Sequence, residues 1–483
     1  MRRTSFIVAC ATVFAVVAPR SAEQRTDASS ALLQHIDSRK DQYIGVARQI
    51  WEFAELGYQE EQSSALLQKT LAGAGFDVQK GIAGMPTGFT ATYGSGKPVL
   101  VIVGEFDALP GLSQASGNPA RQPLKDGAPG HGCGHNLLGT ASAAAAIAVK
   151  DWMIQTKQAG TLRYYGTPAE EGGGGKVYMV RAGLLKDVDA VIGWHPGDSN
   201  AVTAGTTLAT ITASFKFRGI AAHAAAAPDK GRSALDGVEA MDYMVNMMRE
   251  HVPQETRIHY VIRKGGVASN IVPDYAEVEY QARHPDMRVL NGIWDRIVDA
   301  SKGAALGTGT TVENEVITSY WNVLANETLA KVQHGNLLKV GGFEYTPEEQ
   351  AFADKIRATV LGATTPMSAH ESVQPLLIGG VGPASTDMGD ISWNVPTVQL
   401  TAATFVPGVP AHSWQAVSCT GMSIGYKGMM VAAKTIALTT ADLFQSPARL
   451  QQARDEFLKK RGADFTYKSI ASEKPPLDYR KVF

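Results

Sequence analysis

The stretch Lys97–Pro110, KPVLVIVGEFDALP, decides how the rest of the chain is read. Its apolar run reads as a strand buried on both faces, ending at Asp107, the kind found inside a parallel sheet. Working outward, the pattern alternates. Gly127–Gly139, GAPGHGCGHNLLG, is a glycine-rich loop, and Thr140–Lys157, TASAAAAIAVKDWMIQTK, reads as a helix of small residues. Thr161–Glu171, TLRYYGTPAEE, reads as a strand ending at Glu171, and Val188–Pro196, VDAVIGWHP, as one ending near His195. Strand–helix–strand alternation predicts an α/β domain, a central mixed sheet flanked by helices. Upstream, residues 31–74 read as helical, stopped by Gly73 and Gly75.

The texture changes near Thr207. Leu208–Gly219, LATITASFKFRG, alternates like a strand with one wet face. A helix over 233–252, strands over 258–266 and 276–283, a helix over 289–306 and a strand over 310–320 follow. The order β-α-β-β-α-β predicts a ferredoxin-like α+β domain over 207–321, inserted into a larger one over 25–206 and 322–483. The tail after Gln445 is charged and polar, which predicts a surface location.

With 483 residues the chain is long enough for two or three domains. Its net charge of −1, with no long charged run, argues against nucleic-acid or membrane-surface binding. Residues 1–22 combine Arg2 and Arg3, an apolar run from Phe6 to Ala18 and small residues before Ala22. That layout predicts a signal for export to the periplasm, by the Sec or twin-arginine route, and no membrane span in the mature chain. The mature chain keeps two cysteines, Cys133 and Cys419, too few for a disulfide framework. Cys419 reads as a small buried apolar residue.

Asp107, the pair Glu170–Glu171, and His195 all fall at C-terminal ends of expected strands, the edge where open α/β sheets bind ligands. Cys133, His135, His223 and His412 complete a set of thiol, imidazole and carboxylate groups suited to a Zn-like or Mn-like site. Each has a bland alternative: a turn cap for Asp107, a solvated edge for the glutamates, a core histidine for His195. All of them together, in this order, would require several independent coincidences. A nucleophilic Cys133 served by His135 as its base is the rival, but it leaves Glu170, Glu171, His195 and His412 without work.

The motifs GEFDALPG, GHGCGHNLLG, PAEEGGGG, GWHP, AAHAAAAPDKGRSALD, SNIVPDYAEVEYQAR, STDMGDISWNVPT and PAHSWQ occur in that order between about Gln42 and Leu443. In them the chain resembles the metal-dependent amidohydrolases of peptidase family M-20. Within that family it is similar to the branch with a cysteine ligand, and there to members acting on p-aminobenzoyl-glutamate. The resemblance implies two divalent ions, Zn or Mn, held by Cys133, His135, Glu171, His195 and His412, with Cys133 bridging. It implies that Asp107 orients His135, that Glu170 is the general base, and that His223 reaches the partner's site across a homodimer interface in the inserted domain. Asn270 and Arg283 match positions near the substrate carboxylate. The implied reaction is hydrolysis of an amide in an N-acyl amino acid; a dipeptidase, an aminoacylase of other specificity, or a non-catalytic metal-binding protein are the alternatives. Asn136 stands where the branch more often has aspartate, which narrows the subfamily. His131 is left a supporting hydrogen bond in the loop.

Overall fold

A computed structural model describes residues 22–480, with the side chains of 22–28 left aside. The expected export signal, apart from Ala22, lies outside the described residues. Twelve strands occupy Asp77–Lys80 (β1), Phe89–Ser95 (β2), Val99–Gly104 (β3), Gly160–Gly166 (β4), Ala190–Gly197 (β5), Ala201–Thr206 (β6), Ala209–Arg218 (β7), Arg257–Lys264 (β8), Tyr275–His284 (β9), Thr311–Tyr320 (β10), Leu377–Val381 (β11) and Thr397–Ala403 (β12).

Eight of them form a mixed sheet in the order β1-β2-β4-β3-β5-β12-β6-β11. Strands β4, β3, β5 and β12 run parallel, and β2 and β6 flank them antiparallel. Every residue of β3 is buried, and the period of two sends its side chains into two cores. Leu100 and Ile102 pack toward helices His135–Thr156 and Ser423–Phe444. Val99, Val101 and Val103 pack with Met179, Met388 and Ile391 on the other face. Helix His135–Thr156 is the only one among the described residues long and apolar enough to cross a membrane, and it is buried along most of its length as a core helix.

The other four strands form an antiparallel sheet in the order β10-β7-β9-β8, with helices Ala234–Met248 and Met287–Thr308 on one face. In β9, Ala276, Val278, Tyr280 and Ala282 face those helices, leaving Glu277, Glu279, Gln281 and Arg283 on the opposite face. The fold is therefore an α/β domain with a mixed sheet plus an inserted ferredoxin-like α+β unit.

Two expectations need correction, and a third needs an addition. The helical run over 31–74 is three helices, Ala22–Ser38, Lys40–Phe53 and Glu61–Gly73, because the backbone leaves the helical path at Arg39 (φ −110°, ψ 13°) and turns left-handed at Ala54 (φ 44°). Strands β3 and β4 stop at Gly104 and Gly166, so Asp107 and Glu170–Glu171 lie in the loops beyond, where the backbone is free to turn over the sheet edge. The polar tail lies along the surface as expected, every described residue after Arg461 except Ala471 being exposed or half-buried, but it makes inward contacts. After helix Pro447–Arg461 its aromatics turn inward: Phe465 packs edge-on to Trp321, and Tyr467 donates to Asp390 Oδ1 at 2.6 Å.

Candidate metal centre

The Cys133 loop is folded by its glycines. Gly130 pairs with Leu109 through two backbone hydrogen bonds, docking the loop on the exit of β3. A Cβ at Gly130 would lie 2.7 Å from the Leu112 carbonyl oxygen. Gly134 takes φ 81° directly before the helix that begins at His135, and a Cβ there would meet Pro196 at 2.8 Å. Only glycine meets both demands, and the result places Cys133 and His135 above the end of the parallel strands.

His135 is fully buried, and its Nδ1 lies 2.9 Å from Asp107 Oδ1. The other oxygen of Asp107 accepts the Glu171 N–H at 2.9 Å, so one carboxylate ties the cysteine loop to the glutamate loop. This contact fixes the His135 tautomer, with Nδ1 as the donor and Nε2 left to bind a cation. Cys133 Sγ is 3.4 Å from His195 Nε2, and His195 Nδ1 bonds the Pro196 carbonyl at 2.8 Å, again leaving Nε2 for the site. His412, held at φ 59°, brings its Nε2 to 3.1 Å from Glu171 Oε1. Left-handed backbone at a residue other than glycine is strained, and such strain gathers at functional sites.

Two donor sets result, Cys133–His135–His195 and Cys133–Glu171–His412, each with its atoms within 4.8 Å of one another, and Cys133 belongs to both. A third, Glu105–His135–Glu170, adjoins them. His135 Nε2, Glu105 Oε2 and Glu171 Oε1 are buried and lack a partner with hydrogen-bond geometry, although ion-pair distances separate His135 from Glu105 (3.2 Å) and His412 from Glu171. Buried polar atoms left in that state are costly unless a ligand engages them. The electrostatics agree. Buried Glu105, Asp107, Glu170, Glu171 and Asp387 crowd together, and Lys176 is the buried cation among them, 2.7 Å from Glu105 and 2.6 Å from Asp387. Thiol, imidazole and carboxylate donors in a negatively charged basin fit divalent cations.

The ionisation states are unequal. Burial pushes the Glu170 carboxyl well above its ordinary range, helped by the Glu105, Glu171 and Asp387 carboxylates. Burial acts on Glu171 in the same direction, but the His412 contact outweighs it and holds that carboxyl low. Burial also drives the Cys133 thiol up, so cation binding must expel its proton. Two adjacent glutamates therefore differ: one is suited to hold a proton, the other to remain a carboxylate ligand.

The structure brings Asp107, Cys133, His135, Glu170, Glu171, His195 and His412 together. It leaves three residues of the inserted domain apart. His223 is exposed, and its Nδ1 accepts from Ala225 and Ala226 N–H. Asn270 is exposed, and its carbonyl accepts from Ala224 N–H. Arg283 contacts Gln281 Oε1 at 2.9 Å on the wet face of β9. His131 bonds the Ile50 carbonyl at 2.9 Å and joins no donor set; the loop expected to keep this bond to itself is instead tied to helix Lys40–Phe53. Asn136 donates to the Ala47 and Thr420 carbonyls, an internal brace. Cys133 and Cys419 are both free thiols.

Sequence reading missed Glu105, Lys176 and Asp387. Glu105 stands two residues before Asp107 in GEFD, which was the available signal. Sequence reading also missed Glu60, whose carboxylate accepts Ala169 N–H at 2.8 Å and so holds Ala169 at φ 56°, just before the glutamate pair. Burial pushes the Glu60 carboxyl up to about 8.

Comparison with known proteins identifies the family and the fold. Residues 101–437 match the family model described as peptidase family M20/M25/M40. The chain is 42% identical to a p-aminobenzoyl-glutamate hydrolase subunit of Escherichia coli, covering 87% of this chain and 93% of that protein. It is 30% identical to the Xaa-Arg dipeptidase of Mus musculus, over 91% and 96% of the two. Its fold matches the crystal structure of a dinuclear metal-binding M20 peptidase from Bacillus subtilis with a TM-score of 0.57 and 16% identity, over 84% and 99% of the chains.

Proposed function

The chain belongs to the M20/M25/M40 peptidase family of hydrolases, and on that premise we propose that it hydrolyses the amide bond of N-acyl amino acids with an acidic amino-acid half, p-aminobenzoyl-glutamate foremost. The observation that carries the proposal is the pair of donor sets sharing Cys133, with Glu170 beside them. Two divalent ions, Zn or Mn, fit these sets; when bound they supply a water of lowered pKa and a Lewis acid for the amide carbonyl. Glu170, with its raised proton affinity, takes the proton from the attacking water and returns it to the leaving amine. Asp107 keeps His135 aligned throughout.

His223 completes the site from the partner subunit of a homodimer. Acceptance at Nδ1 makes Nε2–H the outward donor of its ring, suited to an oxygen that gains negative charge. Edge strand β8 exposes Tyr260, Val261 and Ile262, and helix Ala234–Met248 exposes Tyr243 and Met247, an apolar surface fit for that interface.

The likeness to an Xaa-Arg dipeptidase supports a second reading, a dipeptidase releasing a basic residue. Charge favours the first. Arg283 stands directly opposite Arg257 across β9 and β8, and both line a cavity of about 530 Å³ with His259, Gln281 and Glu255. Among the described residues Arg283 hydrogen-bonds Gln281, and Arg257 the Gln254 and Thr256 carbonyls, so neither is paired with a carboxylate. Like charges facing each other across strands are unfavourable unless an anion joins them. Arg283 therefore suits a substrate carboxylate, while Asn270, beside His223 beyond the other end of β9, would reach the substrate with His223 from the partner subunit.

The deciding experiment assays metal-reconstituted protein on p-aminobenzoyl-glutamate, hippurate and Xaa-Arg dipeptides. Release of p-aminobenzoate with little turnover of the others supports the proposal; preference for Xaa-Arg overturns it. Mixing His223→Ala with Glu170→Gln chains is expected to restore activity through hybrid dimers. Export through residues 1–22 is part of the proposal, and a cytoplasmic location on cell fractionation would refute it.

A further inference from the structure

The loop that carries Glu170 and Glu171 has no side chains of its own to hold it beyond them, because four glycines follow. The carbonyls of Glu170 to Gly173 instead each accept from a side chain elsewhere in the chain. Tyr320 Oη donates to Glu170 O at 3.1 Å, Thr318 Oγ1 to Gly172 O at 2.7 Å, and Tyr58 Oη to Gly173 O at 2.7 Å. The carbonyl of Glu171 receives two donors, Tyr479 Oη at 2.9 Å and Arg480 Nη2 at 2.6 Å, both from the C-terminal tail.

The tail is anchored to deliver them. The Arg181 guanidinium donates to the Ser469, Ala471 and Ser472 carbonyls, Tyr178 Oη pairs with Ser472 Oγ at 2.8 Å, and Trp321 Nε1 donates to the Lys468 carbonyl at 2.9 Å. The Tyr479 ring sits edge-on to Tyr58 at 5.8 Å. Glu171 is thereby pinned on both sides, its N–H by Asp107 and its C=O by the tail.

We infer that Tyr479 and Arg480 are positioning residues for hydrolysis, fixing the peptide that follows Glu171 and so holding the Glu171 carboxylate in place relative to Glu170. The inference rests on the roles proposed above for those two glutamates. A charge-assisted bond from Arg480 and a second from Tyr479 on one carbonyl resist rotation of the peptide between Glu171 and Gly172. Without them the carbonyl must find water, the Glu171 side chain swings, and the proton acceptor on Glu170 moves relative to the reacting centre. A displacement of about 1 Å there costs on the order of 100-fold in rate.

The test uses full-length Tyr479→Phe, Arg480→Gln and Arg480→Lys, and the double variant that combines Tyr479→Phe with Arg480→Gln; Glu170→Gln is the control. For each, kcat, KM, Tm, metal stoichiometry and the visible spectrum of the Co(II)-loaded protein are measured. The double variant is expected to lose about 100-fold in kcat while KM changes by less than about threefold. Metal stoichiometry and Tm should stay near wild type, the cobalt bands should shift as the carboxylate ligand reorients, and Arg480→Lys should recover part of the rate. A folded double variant with wild-type kcat overturns the inference. So does a loss confined to KM, which would make Arg480 a substrate contact, or a loss that follows falling Tm and metal content, which would make the tail purely structural. An active Glu170→Gln would defeat the functional reading itself, and the inference with it; an inactive one beside an unaffected double variant defeats the inference alone.

Discussion

The two glycine-rich loops that meet at the site are held in opposite ways. The Cys133 loop is shaped largely by its own backbone: Gly132 N–H bonds Gly130 O, Gly134 N–H bonds His131 O, and Leu137 N–H bonds Gly134 O to start the helix. Its glycines are dictated by φ and by close contact with Pro196 and Leu112. The Glu170–Gly173 loop adds to short internal bonds a set of side-chain donors from Tyr58, β10 and the tail, with Glu171 and Tyr479 308 residues apart. Both loops receive distant partners, His412 N–H and Thr420 Oγ1 reaching the carbonyls of Gly132 and His131 in the first, but backbone bonds and glycine fit dominate there and side-chain donors dominate in the second. Ligand geometry on the first should thus depend on backbone fit, and on the second on side-chain hydrogen bonds.

The comparison can be broken at several points. The largest effect is expected for Glu170→Gln. Turnover should fall by about 10³-fold or more with metal content unchanged, measured by steady-state kinetics and metal analysis. Retained turnover would show that the glutamate loop is not where the proton is held. Next, Gly134→Ala should cost roughly 2–4 kcal/mol in denaturant unfolding and weaken metal binding, because positive φ and the Pro196 contact both oppose a Cβ. Gly172→Ala, at φ 97° with Tyr479 3.3 Å from the new Cβ, should cost only about 1 kcal/mol. Equal costs would erase the contrast between the loops.

Tyr320→Phe strips the Glu170 carbonyl of its side-chain donor and leaves only the Gly172 N–H. Stability should drop by about 1 kcal/mol and kcat several-fold, with Tm and rate measured on the same preparation. An unchanged rate would mean that β10 supports the loop without tuning it.

The effect most remote from turnover concerns Asp390, which anchors the tail through Tyr467. Burial raises its carboxyl from the ordinary 3.8 to about 8. The folded protein therefore binds the proton more tightly than the unfolded chain, and this stabilisation is complete below about pH 4 and lost as pH rises through about 8. The stability difference between wild type and Asp390→Asn should shift against wild type across that window, by at most about 1.4 kcal/mol per pH unit. A difference independent of pH would show that Asp390 is ionised in the fold.

Much of the site was legible because its donors sit in short, distinctive strings. Cys133 and His135 are separated by one glycine, Glu170 and Glu171 are adjacent, and Asp107 follows a buried apolar run. Such strings depend on local chemistry and on β3, β4 and β5 lying parallel, which their buried runs already required. Strand ends were misplaced by three to five residues, because apolar pattern says little about where hydrogen bonding to a neighbour stops. The tail's contacts with the site were missed for a related reason. Its aromatics are spaced among charged residues, and nothing local distinguishes Tyr479 beside Glu171 from a tyrosine on the surface.

By itself the sequence determined the donor types, their order, and the two kinds of domain, since period-two burial and glycine-bound ligands are properties of short segments. Only the tertiary structure decided which carboxyl keeps a proton, how Cys133 enters two donor sets, and which groups grip the glutamate loop. Burial and distances between remote residues set those outcomes, and a glycine loop has no side chains in which to write its partners.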